Sequence, residues 1–372
     1  MAIEVNNVIG IDASRSSMKQ KTGTEYYSYE LIRNLVLNEA VRFRLYAKEP
    51  LNYIESKKNV EVKVMKFPRL WSQIRLSSEM IAHPPAVLFE PAHTIPLIHP
   101  SKTVVTLHDV GFKYFPELYT PLERYYHDFS MRHSVKHATK IIAISNATKK
   151  DLIKIYNADE KKIKVIYHGF DREKYYKQSK SEVVPDDILK LTPYIFFIGR
   201  LEAKKNVKNM IKAFGLLRQD KTIKHKLVLA GRSGYLYEEI KNEIDKLPDE
   251  VKQDVVELGY VSDDKVGQLM RNASIFFFPS YFEGFGMPLV EAMASGVPVV
   301  GSNTTSIPEI MQNAGILCDP DSAEQFSSAI SKIIKNDNLK QDLIDKGLLR
   351  SKDFDWTKCA KQTLDVITSL ID

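Results

Sequence analysis

Cysteine is almost missing from this chain: among 372 residues there are two, Cys318 and Cys359. Their separation makes no metal-ligand spacing, and they read as small reduced hydrophobes in a reducing compartment. Long apolar runs are missing too. No stretch approaches the roughly 18 uncharged residues of a membrane-spanning helix, and Met1-Ala2-Ile3-Glu4-Val5-Asn6-Asn7 has no apolar signal-peptide core. A cytoplasmic protein is expected, one in which the sequons at Asn146, Asn272 and Asn303 carry no glycan. No Gly-x-Gly-x-x-Gly follows the first strand candidate, Val8-Ile9-Gly10-Ile11, which argues against a dinucleotide oxidoreductase. There is no Asp-x-Asp with apolar flanks and no His/Cys cluster of ligand spacing, so no metal is expected. Short-period repeats and low-complexity tracts are absent as well.

What remains is an ordinary globular composition with an uneven charge. Hydrophobic residues make up 44% and charged residues 27%, and the length exceeds the roughly 250 to 300 residues at which one core stops growing, so two domains are expected. The net charge of +6 lies wholly in the first half: residues 1–175 hold 27 Lys+Arg against 19 Asp+Glu, the rest 26 against 28. A basic surface of this kind is either simply solvated or drawn to an anionic acceptor or membrane face.

Short apolar strands alternate with amphipathic stretches, the pattern of a parallel sheet wrapped by helices. Candidates in the first half are residues 8–11, 43–46, 86–89, 103–107 and 140–144; in the second, 194–198, 226–230, 255–258, 275–278 and 297–300. A polar stretch with two prolines, Tyr175 to Pro193, separates the sets and reads as a linker. The expected division is 1–175, a linker at 176–192, 193–355, and a C-terminal amphipathic segment at 356–372.

Chemistry concentrates in Glu283-Gly284-Phe285-Gly286-Met287-Pro288-Leu289-Val290-Glu291. Two carboxylates bracket a glycine-rich turn between the strand Ile275–Phe278 and a helix. Backbone N–H groups at such a helix start form an anion site, and acceptors on either side suit a ligand with both phosphate and hydroxyls, such as a nucleotide sugar. Arg200 and Lys205 follow the strand that ends at Gly199, at the carboxyl edge where open α/β sheets bind ligands. A planar fork and a point charge together can hold a diphosphate and offset the charge that grows on it; the plainer reading is a surface ion pair with Glu202. A glycosidase acid–base pair fits less well, because both glutamates belong to one strand–turn–helix unit instead of facing a glycosidic bond from two sides.

Five further stretches stand in a telling order: Leu107-His108-Asp109, His168-Gly169-Phe170-Asp171, Gly199-Arg200-Leu201-Glu202-Ala203-Lys204-Lys205, Gly259-Tyr260-Val261 and Val297-Pro298-Val299-Val300-Gly301. With the Glu-x7-Glu element they resemble the retaining glycosyltransferases of family 4 over nearly the whole chain. The resemblance implies a GT-B fold: α/β, two Rossmann-like domains facing across a cleft, with 1–175 on the acceptor side, 193–355 binding the nucleotide sugar, and 356–372 crossing back to pack on the first domain. It gives catalytic roles to His108, Arg200, Lys205 and Glu283, the last touching the hydroxyls of the transferred sugar. It gives donor-binding roles to Gly23, Gly199, Val261, Gly284, Phe285, Gly286, Met287 and Glu291, the last accepting from the ribose. The loop at Gly23 departs from the family pattern, since Glu25 stands where a second glycine is common.

Family members are thought to work without metal or protein nucleophile, the departing phosphate itself drawing the proton from the acceptor. The elements at Leu107-His108-Asp109-Val110 and Pro91-Ala92-His93-Thr94-Ile95-Pro96 resemble bacterial mannosyltransferases of surface-polysaccharide synthesis. GDP-mannose is therefore the leading donor, with rhamnose, glucose and N-acetylhexosamine donors left open, and the acceptor is a glycan or a lipid-linked glycan. No cofactor and no nucleic acid are expected. Aromatics interleaved with basic residues, at Lys66 to Leu76 and at Arg124 to Lys140, add peripheral attachment at the inner membrane face as an expectation, against the alternative that Leu70 and Trp71 pack inside. The rival class is a GT-B epimerase or a non-catalytic sugar-nucleotide binder; the presence of His108, Arg200, Lys205, Glu283 and Glu291 together favours a working transferase.

Overall fold

A computed structural model describes residues 8–18, 21, 23–179 and 181–371. The stretch Met1 to Asn7, where no signal core is expected, lies outside the described residues. Two compact units form: Met1–Gly169 with Asp355–Asp372, and Phe170–Phe354.

In the first unit the strands are β1 (Val8–Asp12), β2 (Arg42–Ala47), β3 (Val60–Val64), β4 (Val87–Glu90), β5 (Thr103–Leu107), β6 (Lys140–Ala143) and β7 (Ile163–Val165). They pair in parallel in the order β3-β2-β1-β4-β5-β6-β7. β4 and β5 are buried at every position, as continuous apolar runs covered on both faces should be. β3 and β7 are not among the expected strands. β3 reads Val-Glu-Val-Lys-Val and lies at an edge, where Glu61, Val62 and Val64 are exposed and Glu61 pairs with Arg44 at 2.7 Å. β7 has three residues, too few to show a period.

The C-terminal helix Trp356–Thr368 belongs to this first unit. Asp355 caps it by accepting from the N–H of Lys358. Its buried face, Trp356, Cys359, Ala360 and Ile367, joins the core formed by Ile9, Tyr27, Leu31 and their neighbours. Burying one such large side chain contributes about 1.5–3 kcal/mol, which is what carries the chain end back. The approach leaves no room at Gly169: a Cβ there would lie 2.2 Å from the backbone nitrogen of Trp356.

The second unit holds β8 (Tyr194–Ile198), β9 (Lys226–Ala230), β10 (Val255–Gly259), β11 (Ile275–Phe278), β12 (Val299–Ser302) and β13 (Gly315–Cys318), again parallel, in the order β10-β9-β8-β11-β12-β13. β13 is not among the expected strands; only one of its four residues, Cys318, is buried. Residues 176–192, expected as a linker, cluster with this unit. Their attachment is physical: Arg271 pairs with Glu182 at 3.5 Å, and Ile188 is buried on the short helix Asp186–Leu189, while just before them Arg271 also donates to the Lys174 carbonyl at 2.6 Å.

Candidate active site

The sheet of the second unit reverses its strand order between β8 and β11, and ligands of open α/β sheets bind at the carboxyl edge of such a junction. Lys205 follows β8 and Glu283 follows β11. Their side chains meet across the junction, Nζ to Oε1 at 2.7 Å, at 17% and 11% exposure. Lys205 closes a single 3-10 turn, Ala203–Lys205, and Asn206 beyond it adopts a left-handed conformation while its amide donates to the carbonyls of Pro279 and Pro320 at 3.0 and 2.7 Å. That amide ties the β8 loop to the β11 loop beside the ion pair.

Arg200 stands apart from the pair. It is 68% exposed, and its nearest carboxylate, Glu202, is 3.9 Å away. The predicted surface contact with Glu202 therefore exists, loosely, and leaves the guanidinium open to solvent at the ligand edge. Close packing of the Gly199 loop depends on glycine in the β9 loop, where a Cβ on Gly231 would sit 1.8 Å from the Gly199 carbonyl. Val261 follows β10 on the same edge, next to Tyr260, whose ring carries Arg232 at 4.9 Å.

The turn 283–286 is held from beneath by residues that the sequence reading passed over. Thr305 accepts from the Glu283 N–H at 3.1 Å, and the Ser306 hydroxyl donates to the carbonyls of Glu283 and Phe285 at 3.0 and 2.9 Å. The signal was present in Thr304-Thr305-Ser306, a polar run directly after a buried strand. Gly286, with φ 93°, opens the helix Met287–Ala294, whose start has no side-chain cap and has Pro288 within its first turn. An uncapped helix start presents backbone donors and positive dipole to an anion.

Glu291 lies buried on that helix, and burial holds its carboxyl up at about 7, against the pull of the Lys174 charge and a hydrogen bond from Tyr175. The sequence shows Glu291 without these partners, which come from the end of the 1–175 segment expected in the first domain, whereas the second unit begins at Phe170.

In the first unit, His108 follows β5 and is buried. Its Nε2 donates to the Pro91 carbonyl at 2.8 Å, its N–H meets His93 Nδ1 at 3.4 Å, and its carbonyl accepts from Thr148 at 3.0 Å. Burial pushes the imidazole below its usual range, so it is neutral at pH 7. Asp109 accepts from the Gly111 N–H at 2.7 Å and so braces the turn after His108. Gly23 is the first residue of the helix Gly23–Leu35, and a Cβ there would meet nothing within 4 Å. Among the described residues nothing calls for glycine at that position. Glu25 beside it is buried and pairs with Arg15 at 3.4 Å. Among the described residues no group of His, Cys, Asp and Glu is arranged to hold a metal ion, and no helix is long and apolar enough to cross a membrane.

Two parallel, doubly wound sheets, one with a cation, a carboxylate and a bare helix start gathered at its reversal point, define a twin-Rossmann α/β protein. Comparison with known proteins gives the family. Residues 22–174 match the family described as Glycosyltransferase Family 4, and residues 185–350 match Glycosyl transferases group 1. The chain is 31% identical over 273 residues to O-antigen chain mannosyltransferase B of Escherichia coli, covering 71% of this chain and 69% of that one. It is 28% identical over 241 residues to O-antigen chain mannosyltransferase RfbU of Salmonella typhimurium, covering 65% and 63%. Sucrose-phosphate synthase of Thermosynechococcus elongatus superposes with a TM-score of 0.76 at 15% identity over 98% and 99% of the two chains, a likeness of fold. The chain belongs to glycosyltransferase family 4 and has the GT-B fold.

Proposed function

We infer that this glycosyltransferase moves mannose from GDP-mannose to a glycan or lipid-linked glycan acceptor in surface-polysaccharide synthesis, with retention of configuration and without a metal ion. The observation that carries the reading is the Lys205–Glu283 pair at the reversal point of the second sheet, beside the uncapped helix start at Gly286. A diphosphate arriving there meets Lys205, the open guanidinium of Arg200 and the backbone donors of the turn, which together offset the charge that develops as the glycosidic bond breaks. Lys205 then exchanges one carboxylate for two phosphates, and Glu283 is released to accept from the hydroxyls of the sugar. Glu291 accepts from the ribose. His108 is assigned the contact with the sugar near its reacting carbon, made by a neutral ring. The departing phosphate takes the proton of the attacking hydroxyl, which removes the need for a protein nucleophile. The mannosyltransferase relatives support mannose as the transferred sugar and polysaccharide as the product.

The protein works in the cytoplasm at the inner face of the membrane. Support comes from exposed apolar residues set among cations: Leu70 is 56% exposed between Arg69 and Trp71, and Leu122 and Tyr125 are 77% and 72% exposed around Arg124. Trp71 and Leu76 are buried, so only the outer part of the first interleaved stretch is offered to a surface.

The test is to incubate the protein with a panel of nucleotide sugars and to follow nucleotide release with and without mannosylated acceptors. Acceptor-dependent release from GDP-mannose supports the reading. Release from another donor alone, epimerised donor, or binding without turnover contradicts it.

A further inference from the structure

A cavity of about 350 Å³ opens in the second unit next to the turn that carries Lys205. It lies between the helices Val207–Leu217 and Tyr237–Asp245 and the loops that hold Tyr281 and Asp321. Its size is at the lower end of the roughly 300–1,000 Å³ of small-molecule sites. Lys205 turns to Glu283 and does not line it, whereas Ala203 and Asn206, on either side of Lys205 in the chain, do. The chemistry assigned to the donor therefore leaves these walls unused.

The walls are of three kinds. Leu236, 40% exposed, and the buried Ile240 give an apolar one. Lys208 and Lys212 stand one turn apart on the first of the two helices and give a cationic one. Lys208 pairs with Glu239 at 3.1 Å, but both side chains are half-exposed, and such pairs hold their partners weakly. Lys212 is exposed and has no carboxylate partner among the described residues. The third wall is polar: Asn209 donates to the Pro320 carbonyl at 2.6 Å and so fixes the loop before Asp321. Asp321 accepts from the Tyr281 hydroxyl at 2.9 Å through one carboxylate oxygen, which leaves the other as an acceptor. Asn206 and Leu236 hold left-handed backbone, with φ 57° and 61°. In residues with a side chain this persists only where the surroundings over-determine it, and such positions cluster at ligand clamps.

An inorganic anion would meet the lysines and leave the apolar wall and Asp321 uncovered, and a neutral sugar would leave the lysines. A sugar phosphate answers all three walls: phosphate oxygens accept from the ammonium groups, hydroxyls donate to Asp321, and the C–H face of the ring covers Leu236. A ligand seated there packs on Asn206, whose amide ties the Lys205 loop to the carbonyls of Pro279 and Pro320. We propose that the cavity binds a small sugar phosphate and that its occupancy is coupled, through Asn206, to nucleotide binding at Lys205. The coupling rests on the transferase reading for the nucleotide; the binding chemistry rests on the cavity alone.

Calorimetric titration of the full-length protein with mannose 6-phosphate, with and without saturating GDP, tests it. The unmodified protein should bind the sugar phosphate in both conditions, and GDP affinity should change about fivefold or more once the sugar phosphate saturates, the coupling usual between linked sites. Lys212→Glu and Asp321→Ala, both at exposed positions, should each weaken sugar-phosphate binding roughly tenfold or more, the loss expected for one charge-assisted hydrogen bond. Lys241→Glu, on the second helix and outside the cavity, should bind as the unmodified protein does. The site would be overturned by absence of binding, by equal binding in Lys212→Glu and Asp321→Ala, by inorganic phosphate binding as tightly as the sugar phosphate, or by complete displacement by GDP. An unchanged GDP affinity would overturn the coupling. Failure of the transferase reading looks different: GDP does not bind and no nucleotide sugar is turned over, while the sugar phosphate still binds.

Discussion

The ammonium of Lys205 lies 2.7 Å from Oε1 of Glu283, joining residues 78 positions apart across the junction at which the second sheet changes direction. The pair is mostly buried, with Asn206 and Thr305 holding its two loops. Each member is therefore already in place, and its partner is another side chain that an incoming diphosphate or sugar can replace.

Lys205→Ala should lower turnover by about 10²–10³, the loss found when one preorganised charge is taken from a transition state. It should also destabilise the protein by about 1–3 kcal/mol, because Glu283 is left buried without its cation. Adding Glu283→Gln to Lys205→Ala should recover part of that stability and none of the turnover. Denaturant unfolding and steady-state kinetics on the two single variants and the double variant check this; additive stability losses would show that the pair is not coupled.

Glu291 gives a pH signature with a definite sign. Its carboxyl is raised from 4.5 to about 7 by burial, so the folded state keeps a proton that the unfolded chain gives up. The group contributes nothing below about pH 4.5, costs stability increasingly as pH rises towards 7, and above that costs roughly 3 kcal/mol, at about 1.4 kcal/mol per unit. Glu291→Gln should accordingly be neutral at pH 4 and stabilising at pH 8. Nucleotide-sugar affinity should rise with pH through 7 as the ionised carboxylate becomes a better acceptor for the ribose, and this rise should vanish in Glu291→Gln. An affinity profile that is the same in both proteins would remove Glu291 from the ribose.

Most of the second unit's candidate site was legible in the sequence as local structure, because strand, glycine turn and helix follow one another and the cations come directly after a strand. The Lys205–Glu283 contact was not legible, since it depends on β8 and β11 lying side by side, a pairing between strands far apart in sequence. The same reason hid Lys174 and Tyr175 near Glu291, because the last residues of the expected first domain cluster with the second unit. At His108 the sequence located the residue, but its fixed ring and engaged carbonyl come from Pro91, His93 and Thr148 on other loops. The strands β3, β7 and β13 were missed because edge strands alternate, shorten or stay half-exposed and so lack the continuous apolar run of a central strand.

Membrane attachment should be electrostatic as well as apolar. The protein should sediment with phosphatidylserine-containing liposomes at low salt and be released as ionic strength approaches 0.5 M, where screening shortens the reach of charge to roughly 4–5 Å. Lys66→Glu with Arg69→Glu should weaken sedimentation by about 1 kcal/mol or more per charge removed, and Leu122→Ser should weaken it independently of salt. Sedimentation that is the same with neutral liposomes would contradict the role given to the basic residues.

The central claim is transfer with retention from GDP-mannose by Lys205, Arg200 and Glu283 in place of a metal ion. The most direct measurement follows the reaction of GDP-mannose with a soluble mannoside acceptor by NMR, in excess EDTA, reading the one-bond C1–H1 coupling of the new linkage, which is larger for the α than for the β mannoside. The account predicts an α-linked product formed at an undiminished rate in chelator and lost in Lys205→Ala. A β-linked product, or activity abolished by EDTA and restored by magnesium or manganese, would contradict it.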